Sequence, residues 1–258
     1  MLNHALVIAR KEIVDGLRDT RSLFSSLFYV LMGPLVVLLV SMAIDPGKKP
    51  ASAEVLRAML SVFSLVAAFV GGMNIALDTI AGERERQSLL PLLLNPVPRR
   101  NVALGKWLAV SFFAIVGMAI NLTASGALLL HAGMGAPAAF IAIAALTIAP
   151  LPLLAAALEL LISTLCRNVK EAHTYLSLAV FAPMGIGMFL VFSPSLSQSW
   201  FRLLPVAGQQ LQLELLMKGA APQFAIALPL GCFTLMITAL LVLAAANRLE
   251  RDEIVFGN

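Results

Sequence analysis

The residues with most chemistry to offer lie between Asp78 and Lys106, in DTIAGERERQSLLPLLLNPVPRRNVALGK. Glu83, Arg84, Glu85 and Arg86 follow Gly82, and the spacing of Glu83 and Arg86 predicts an i, i+3 ion pair. Five leucines come next, then Asn95-Pro96 and Pro98, which stop a helix. Gly82 is expected to end or bend the preceding apolar run, and Pro91 to kink the leucine-rich stretch. The pattern predicts a short charged-then-apolar helix along a membrane face. Its charges would set register and its leucines would supply buried contact to a soluble partner. The alternative is an ordinary loop whose charges only fix topology, but Lys and Arg alone would do that.

Other chemistries lack their residues. The sequence has no GxxxxGK[ST] phosphate loop and no HExxH, and its histidines are His4, His131 and His173. Histidine-based catalysis and a metal site are therefore not expected, nor is a nucleotide site or other cofactor in this chain. Cys166 and Cys232 are read as free thiols. Three polar groups at membrane depth stand out. Glu159 lies within an apolar run, where a carboxylate is costly unless protonated or paired; it would line the transport pathway, the equal alternative being that it simply reaches water at the cytoplasmic face. Asn74 and Asp78 are one turn apart and would line a polar vestibule or bond to neighbouring helices. Asn121 and Thr123 read as interhelical hydrogen-bonding groups.

The elements that carry these residues are membrane spans. Of 258 residues, 60% are hydrophobic and 12% charged, against about 25% charged in a soluble domain. The mean hydropathy is +0.91. Six runs near 23–44, 55–80, 107–130, 138–165, 174–192 and 223–246 are long enough to cross ~30 Å of hydrocarbon. Pro150 and Pro152 predict a kink or tilt in the fourth. The fold expected is all-α: six transmembrane helices over 23–246, an interfacial helix over 1–22 and a tail over 247–258.

Of 18 Lys and Arg residues, thirteen fall on the side of the N-terminus and five opposite, which places both termini in the cytoplasm. A pI near 9.4 then reflects membrane flanks and not nucleic-acid binding. Leu2, Leu6, Ala9, Ile13 and Leu17 recur at helical spacing and suit a helix lying along membrane lipid, the alternative being a solvated tail. In 193–222, Gln209, Gln210, Gln212 and Glu214 make the segment too polar to span. Short helices dipping into the outer interface are predicted, with a plain loop as the alternative. Ala67 with Gly71 and Ala68 with Gly72 predict close helix packing, for instance at a dimer seam.

AGERERQSLLPLLLNPVPRR followed by LGK resembles the cytoplasmic signature of type-2 ATP-binding-cassette exporter permeases, nearest to the permease subunit of sodium-extruding exporters. ARKEIVDGLRDTRSLF, LISTLCRNVKEAHTYLS at 161–177, PVAGQQLQLELLMKG at 205–219 and the tail NRLERDEIVFGN are similar too. The resemblance implies a half-transporter of a bacterial inner membrane, with no ATPase site of its own. It would pair with a second permease copy or a paralogue and with ATPase subunits that bind ATP and Mg. Gly82, Glu83, Arg84, Glu85 and Arg86 would form the coupling helix. Arg10, Lys11, Glu12 and Arg18 would belong to the connecting helix, and Lys170 and Glu171 to a further contact loop. The implied activity is outward transport driven by ATP hydrolysis, with a sodium ion or a small hydrophobic compound as cargo. Leu90 stands where the family often has Glu, and Asp45–Glu54 is too short for the outer domain of sodium exporters. The rival readings are an ATP-independent channel or carrier and a non-transporting membrane scaffold.

Overall fold

A computed structural model describes residues 2–43, 50–89, 91, 97–133, 140–192 and 200–250. The described residues are helical apart from short turns, and contain no strand. Helix α1 is Leu2–Arg18 and α2 is Thr20–Ala43. Asp19 separates them: its carboxylate accepts hydrogen bonds from the Ser22 hydroxyl and amide, which caps α2 at its N-terminus.

Helix α3, Pro50–Ala76, runs on through a π turn, Leu77–Gly82, and a final α turn, Glu83–Glu85. The helix α4 is Arg99–His131. Next come α5, Phe140–Ile148, and α6, Pro150–Leu165, which are bent by 46° where they meet. Pro150 and Pro152 lie in the first turn of α6 and lack the N–H groups a straight continuation would use. Helix α7 is Val169–Phe192 and α9 is Phe224–Leu249, and between them lie a 3-10 turn, Trp200–Leu203, and the short helix α8, Ala207–Met217.

Five helices are long and apolar enough to cross a membrane, and the bent α5–α6 pair makes a sixth. The chain is thus an all-α integral membrane protein. Helix α3 is the central one: 83% of its most apolar window is buried, against 22% for α2 and α7. Outward-facing residues on those two helices, such as Phe24, Phe28, Leu39, Phe181, Phe189 and Phe192, suit a lipid surface rather than water.

Within the bundle, small residues set the spacing. The Ala67–Gly71 seam is filled by α4 of the same chain, since a side chain on Gly117 would start 3.0 Å from the Gly71 Cα. It is therefore spent inside the chain and not on a dimer. Asn121 binds three helices: its amide donates to the Val30 carbonyl at 2.7 Å, and its oxygen accepts from the Ser64 hydroxyl at 2.7 Å. Thr123 donates only to its own helix, at the Ala119 carbonyl.

In 193–222 the described residues, from 200 on, do form short helices. Helix α8 starts at a γ-turn on Val206 (φ 71, ψ −61), a strained conformation for a β-branched residue, closed by the Ala207 amide on the Pro205 carbonyl at 2.9 Å. Two of the glutamines that bar it from spanning, Gln209 and Gln210, are buried and donate to other helices. Gln209 donates to the Thr234 hydroxyl at 2.8 Å and Gln210 to the Gly187 carbonyl at 2.9 Å. Such bonding lets a short polar helix sit among apolar ones.

Candidate coupling site at the charged end of the bundle

Helix α1 has two faces. Ala5, Ile8, Ala9, Glu12 and Gly16, spaced as one helical stripe, are buried. They lie against α4, with which α1 makes its most extensive contact. Leu6 and Leu17, part of the apolar stripe legible in the sequence, face away from the protein. That orientation suits contact with lipid. Close approach depends on Gly105, where a Cβ would fall 2.7 Å from the Ala5 carbonyl oxygen and the Ile8 Cβ.

The next residue in α4, Lys106, is fully buried. Its ammonium donates to Glu12 Oε1 at 3.0 Å, to Glu83 Oε2 at 2.8 Å and to the Thr79 carbonyl at 2.6 Å. Three acceptors use all three N–H donors of a lysine. Lys11 closes the group, 3.3 Å from Glu12 and 3.6 Å from both Glu83 and Asp15. Two cations and two buried carboxylates thus balance. Burial works against the charge on Lys11, but Glu12, Glu83 and Asp15 outweigh it and raise its pKa above the ordinary lysine value.

The π turn makes this junction possible. The Glu83 amide bonds to the Asp78 carbonyl, five residues back. In an α-helix it would bond to Thr79, whose carbonyl instead receives Lys106. The Ala81 amide, inside the π turn, also donates to the Ser163 hydroxyl of α6 at 3.2 Å. One wide turn therefore docks α3 onto both α4 and α6, and π turns of this kind are frequent at functional sites.

The charged run divides its labour. Glu83 points inward to Lys106, so the predicted Glu83–Arg86 pair is not the one formed. Arg86 instead bonds Asp78 at 2.7 Å, and that carboxylate raises the pKa of Arg86. Arg84 donates to the Cys166 and Thr164 carbonyls, at the end of α6. Glu85 accepts the Val169 amide at 3.0 Å, at the start of α7. Glu171 accepts the Arg167 amide at 2.8 Å and Lys170 is exposed. The run thus holds the turn between α6 and α7.

Gly82 does not end the span. It is buried inside the π turn, and the helix continues to Glu85 before Arg86 and Gln87 (φ 57) break it. No separate helix therefore begins at Gly82. The latter part of the predicted helix, 90 and 92–96, lies outside the described residues, as do Asp45–Lys49 of the first outer loop.

Arg10 and Arg18 are exposed. Asn74 donates to the Ser22 carbonyl and the Ser26 hydroxyl of α2, at 3.2 and 2.9 Å. Asp78 bonds Arg86, so of the two residues Asn74 is the one bonded to a neighbouring helix. Glu159 reaches no water: it is 1% exposed.

In the sequence Lys106 stands only as a flanking charge; its position past the first turn of α4, with apolar neighbours on both sides, is the signal that sets it apart. Arg99 and Arg100, the first two residues of α4, lack that signal. Arg99 donates to the Leu249 and Glu250 carbonyls at 3.1 and 2.8 Å, and Arg100 to the Glu250 carboxylate at 3.2 Å. Together they cap the C-terminus of α9.

A membrane bundle with a charged junction at one end matches a known family. Over residues 6–253 the chain matches the ABC-2 family transporter proteins, and it belongs to that family of transporter permeases. It is 36% identical over 214 residues to the ABC transporter permease protein NatB of Bacillus subtilis (strain 168), an alignment covering 77% of this chain and 54% of that protein. The chain thus spans about half the length of the curated relative it matches.

Proposed function

We propose that this chain is the membrane subunit of an ATP-driven exporter, worked by a separate ATPase that carries ATP and Mg. The observation that carries this reading is the three-way bond of Lys106. It joins α1, the Glu83–Glu85 turn and α4 into one rigid junction at the end of the bundle richest in exposed charge. A partner pressing on α1 or on the charged turn would move α3 and α4 together, because their link is buried and hydrogen-bonded. Through Ser163 and Arg84 the same push reaches α6. This is rigid-element coupling, with no covalent chemistry in the chain.

In this reading Arg10, Arg18, Arg86 and Lys170 are the exposed cations that meet the ATPase, while Lys11, Glu12, Glu83, Arg84, Glu85 and Glu171 transmit the motion. The positive-inside distribution of Lys and Arg supports cytoplasmic termini and a bacterial inner membrane. The lightly buried α2 and α7 offer surface for a second permease copy as well as lipid. Sodium and small hydrophobic compounds are the cargoes to test first, from the resemblance to sodium exporters and the Leu-, Ala-, Phe- and Met-rich spans.

The test is co-purification of the tagged chain in mild detergent, with ATPase activity assayed in the eluate. An ATPase is expected with the wild-type chain and is expected to be lost on reversing Arg10, Arg86 and Lys170 to Glu. A correctly folded chain that carries no ATPase in membranes of its own host would overturn the reading.

A further inference from the structure

Glu159 takes no part in the charged junction or in the bonds that extend from it. It sits in the middle of α6, and neither of its carboxylate oxygens has a hydrogen-bond partner among the described residues. Its Oε2 faces Gly72 of α3: a Cβ there would lie 3.0 Å from that oxygen and 2.9 Å from Val110 Cγ1 of α4. The carboxyl is thus wedged where three helices meet, with buried Ala155, Ala156 and Leu160 beside it on its own helix.

The charged groups on the surrounding elements are engaged elsewhere or distant in the fold. Asp78 is held by Arg86, and Lys106 by Glu12 and Glu83. Arg84 serves the Cys166 carbonyl, and Glu171 the Arg167 amide. Lys170 and His173 of α7 are exposed, Arg248 lies in the last turn of α9, and Glu54 and Arg57 stand at the far end of α3. None of them bonds to Glu159.

An ionised carboxylate without a donor is costly in apolar surroundings. A metal ion would need a shell of oxygens. The neighbours here are glycine, valine and alanine, and the described residues contain no group of three His, Cys, Asp or Glu placed to hold a metal. The ligand that needs no such shell is a proton. One turn along the same face of α6, Ser163 holds the π turn through the Ala81 amide. Motion of the charged junction is thereby passed to the stretch of α6 that carries the carboxyl.

We propose that Glu159 is an intramembrane proton site. It is loaded in this packed arrangement, and releases its proton to water when the π turn draws α6 away from Gly72 and Val110. The inference rests on the chain being a membrane permease, and not on how the ATPase docks.

Infrared spectroscopy of the purified chain in lipid nanodiscs tests it without any ATPase, so its outcome is separate from that of the co-purification. At neutral pH we expect the C=O stretch of a protonated carboxyl, shifted in heavy water and absent from Glu159→Gln. The band should be unchanged when sodium chloride replaces choline chloride. A missing band, or one that survives in Glu159→Gln, overturns the proposal. So does loss of the band on adding sodium, which would make this an alkali-ion site. If Glu159→Gln does not fold, a band displaced in Glu159→Asp serves instead, and an undisplaced one overturns the assignment. Ser163→Ala should slow hydrogen–deuterium exchange of the band at least severalfold, because the π turn can then no longer draw α6 away, and unchanged exchange removes the link to the π turn.

Discussion

Lys106 and Glu83 meet at 2.8 Å with neither side chain open to solvent, and Glu12 completes the group from the other side at 3.0 Å. Removing one member of a buried ion pair leaves the other charge stranded, at a cost of about 3–5 kcal/mol. Replacing the whole set by neutral groups costs far less. Lys106→Met should therefore lower the melting temperature in detergent sharply, while Glu12→Gln/Lys106→Met/Glu83→Gln should regain most of the loss. A triple variant as unstable as the single one would show that packing, not charge, holds the junction.

Glu83 and Arg86, close together in the charged run, should behave differently. Glu83 is buried in the junction, whereas the Arg86–Asp78 pair is 57% and 63% exposed, and pairs of that kind contribute about 0–1 kcal/mol. Glu83→Ala should destabilise the isolated chain. Arg86→Ala should leave its melting curve in place yet weaken retention of the ATPase. Equal melting shifts for the two would contradict the buried position of Glu83.

Much of this architecture is legible in the sequence because length and apolarity alone define a span. The six runs and the prolines of the bent pair declare themselves without any tertiary information. The junction does not, because its members lie far apart in the chain. Lys106 is 94 residues from Glu12 and 23 from Glu83, separations to which local periodicity is blind. The π turn misleads in another way. One extra residue in a turn rotates everything after it by about 100°, so Glu83 turns inward to Lys106, and the helix stops at Glu85 before an i, i+3 pair with Arg86 can form. The glutamines of α8 mark it as too polar to span. Their buried partners, Thr234 and the Gly187 carbonyl, belong to other helices and so are not visible locally.

The junction between α1 and α2 should depend on pH through Asp19. Hydrogen bonds from the Ser22 hydroxyl, and then from its amide, hold the Asp19 carboxyl below the usual carboxylate range. A lowered value means that the cap contributes fully above the ordinary Asp pKa and is lost as pH falls through the lowered one. Amide exchange in the first turn of α2 should accelerate in acid, corrected for intrinsic rates, and should be fast at all pH values in Asp19→Ala. The substitution should cost about 1 kcal/mol locally. Protection that is unchanged in Asp19→Ala would remove Asp19 as the cap.

Cys166 reports on the turn that Arg84 holds. Its side chain is buried, which raises the thiol pKa; Glu171 adds to the rise and Arg84 opposes it. In a Cys232→Ser chain, alkylation by N-ethylmaleimide should therefore gain speed only at pH values above the ~8.5 of a free thiol. Arg84→Ala has two opposed effects. Loss of the cation disfavours the thiolate, while loss of the bonds to the Cys166 and Thr164 carbonyls frees the turn. At strongly alkaline pH the thiol is ionised in both chains, and the rate then reflects access alone. There Arg84→Ala should react about tenfold faster, as ~1.4 kcal/mol easier opening requires. Equal alkaline rates would mean that the turn is held by other contacts, and that Arg84 does not join the charged run to α6.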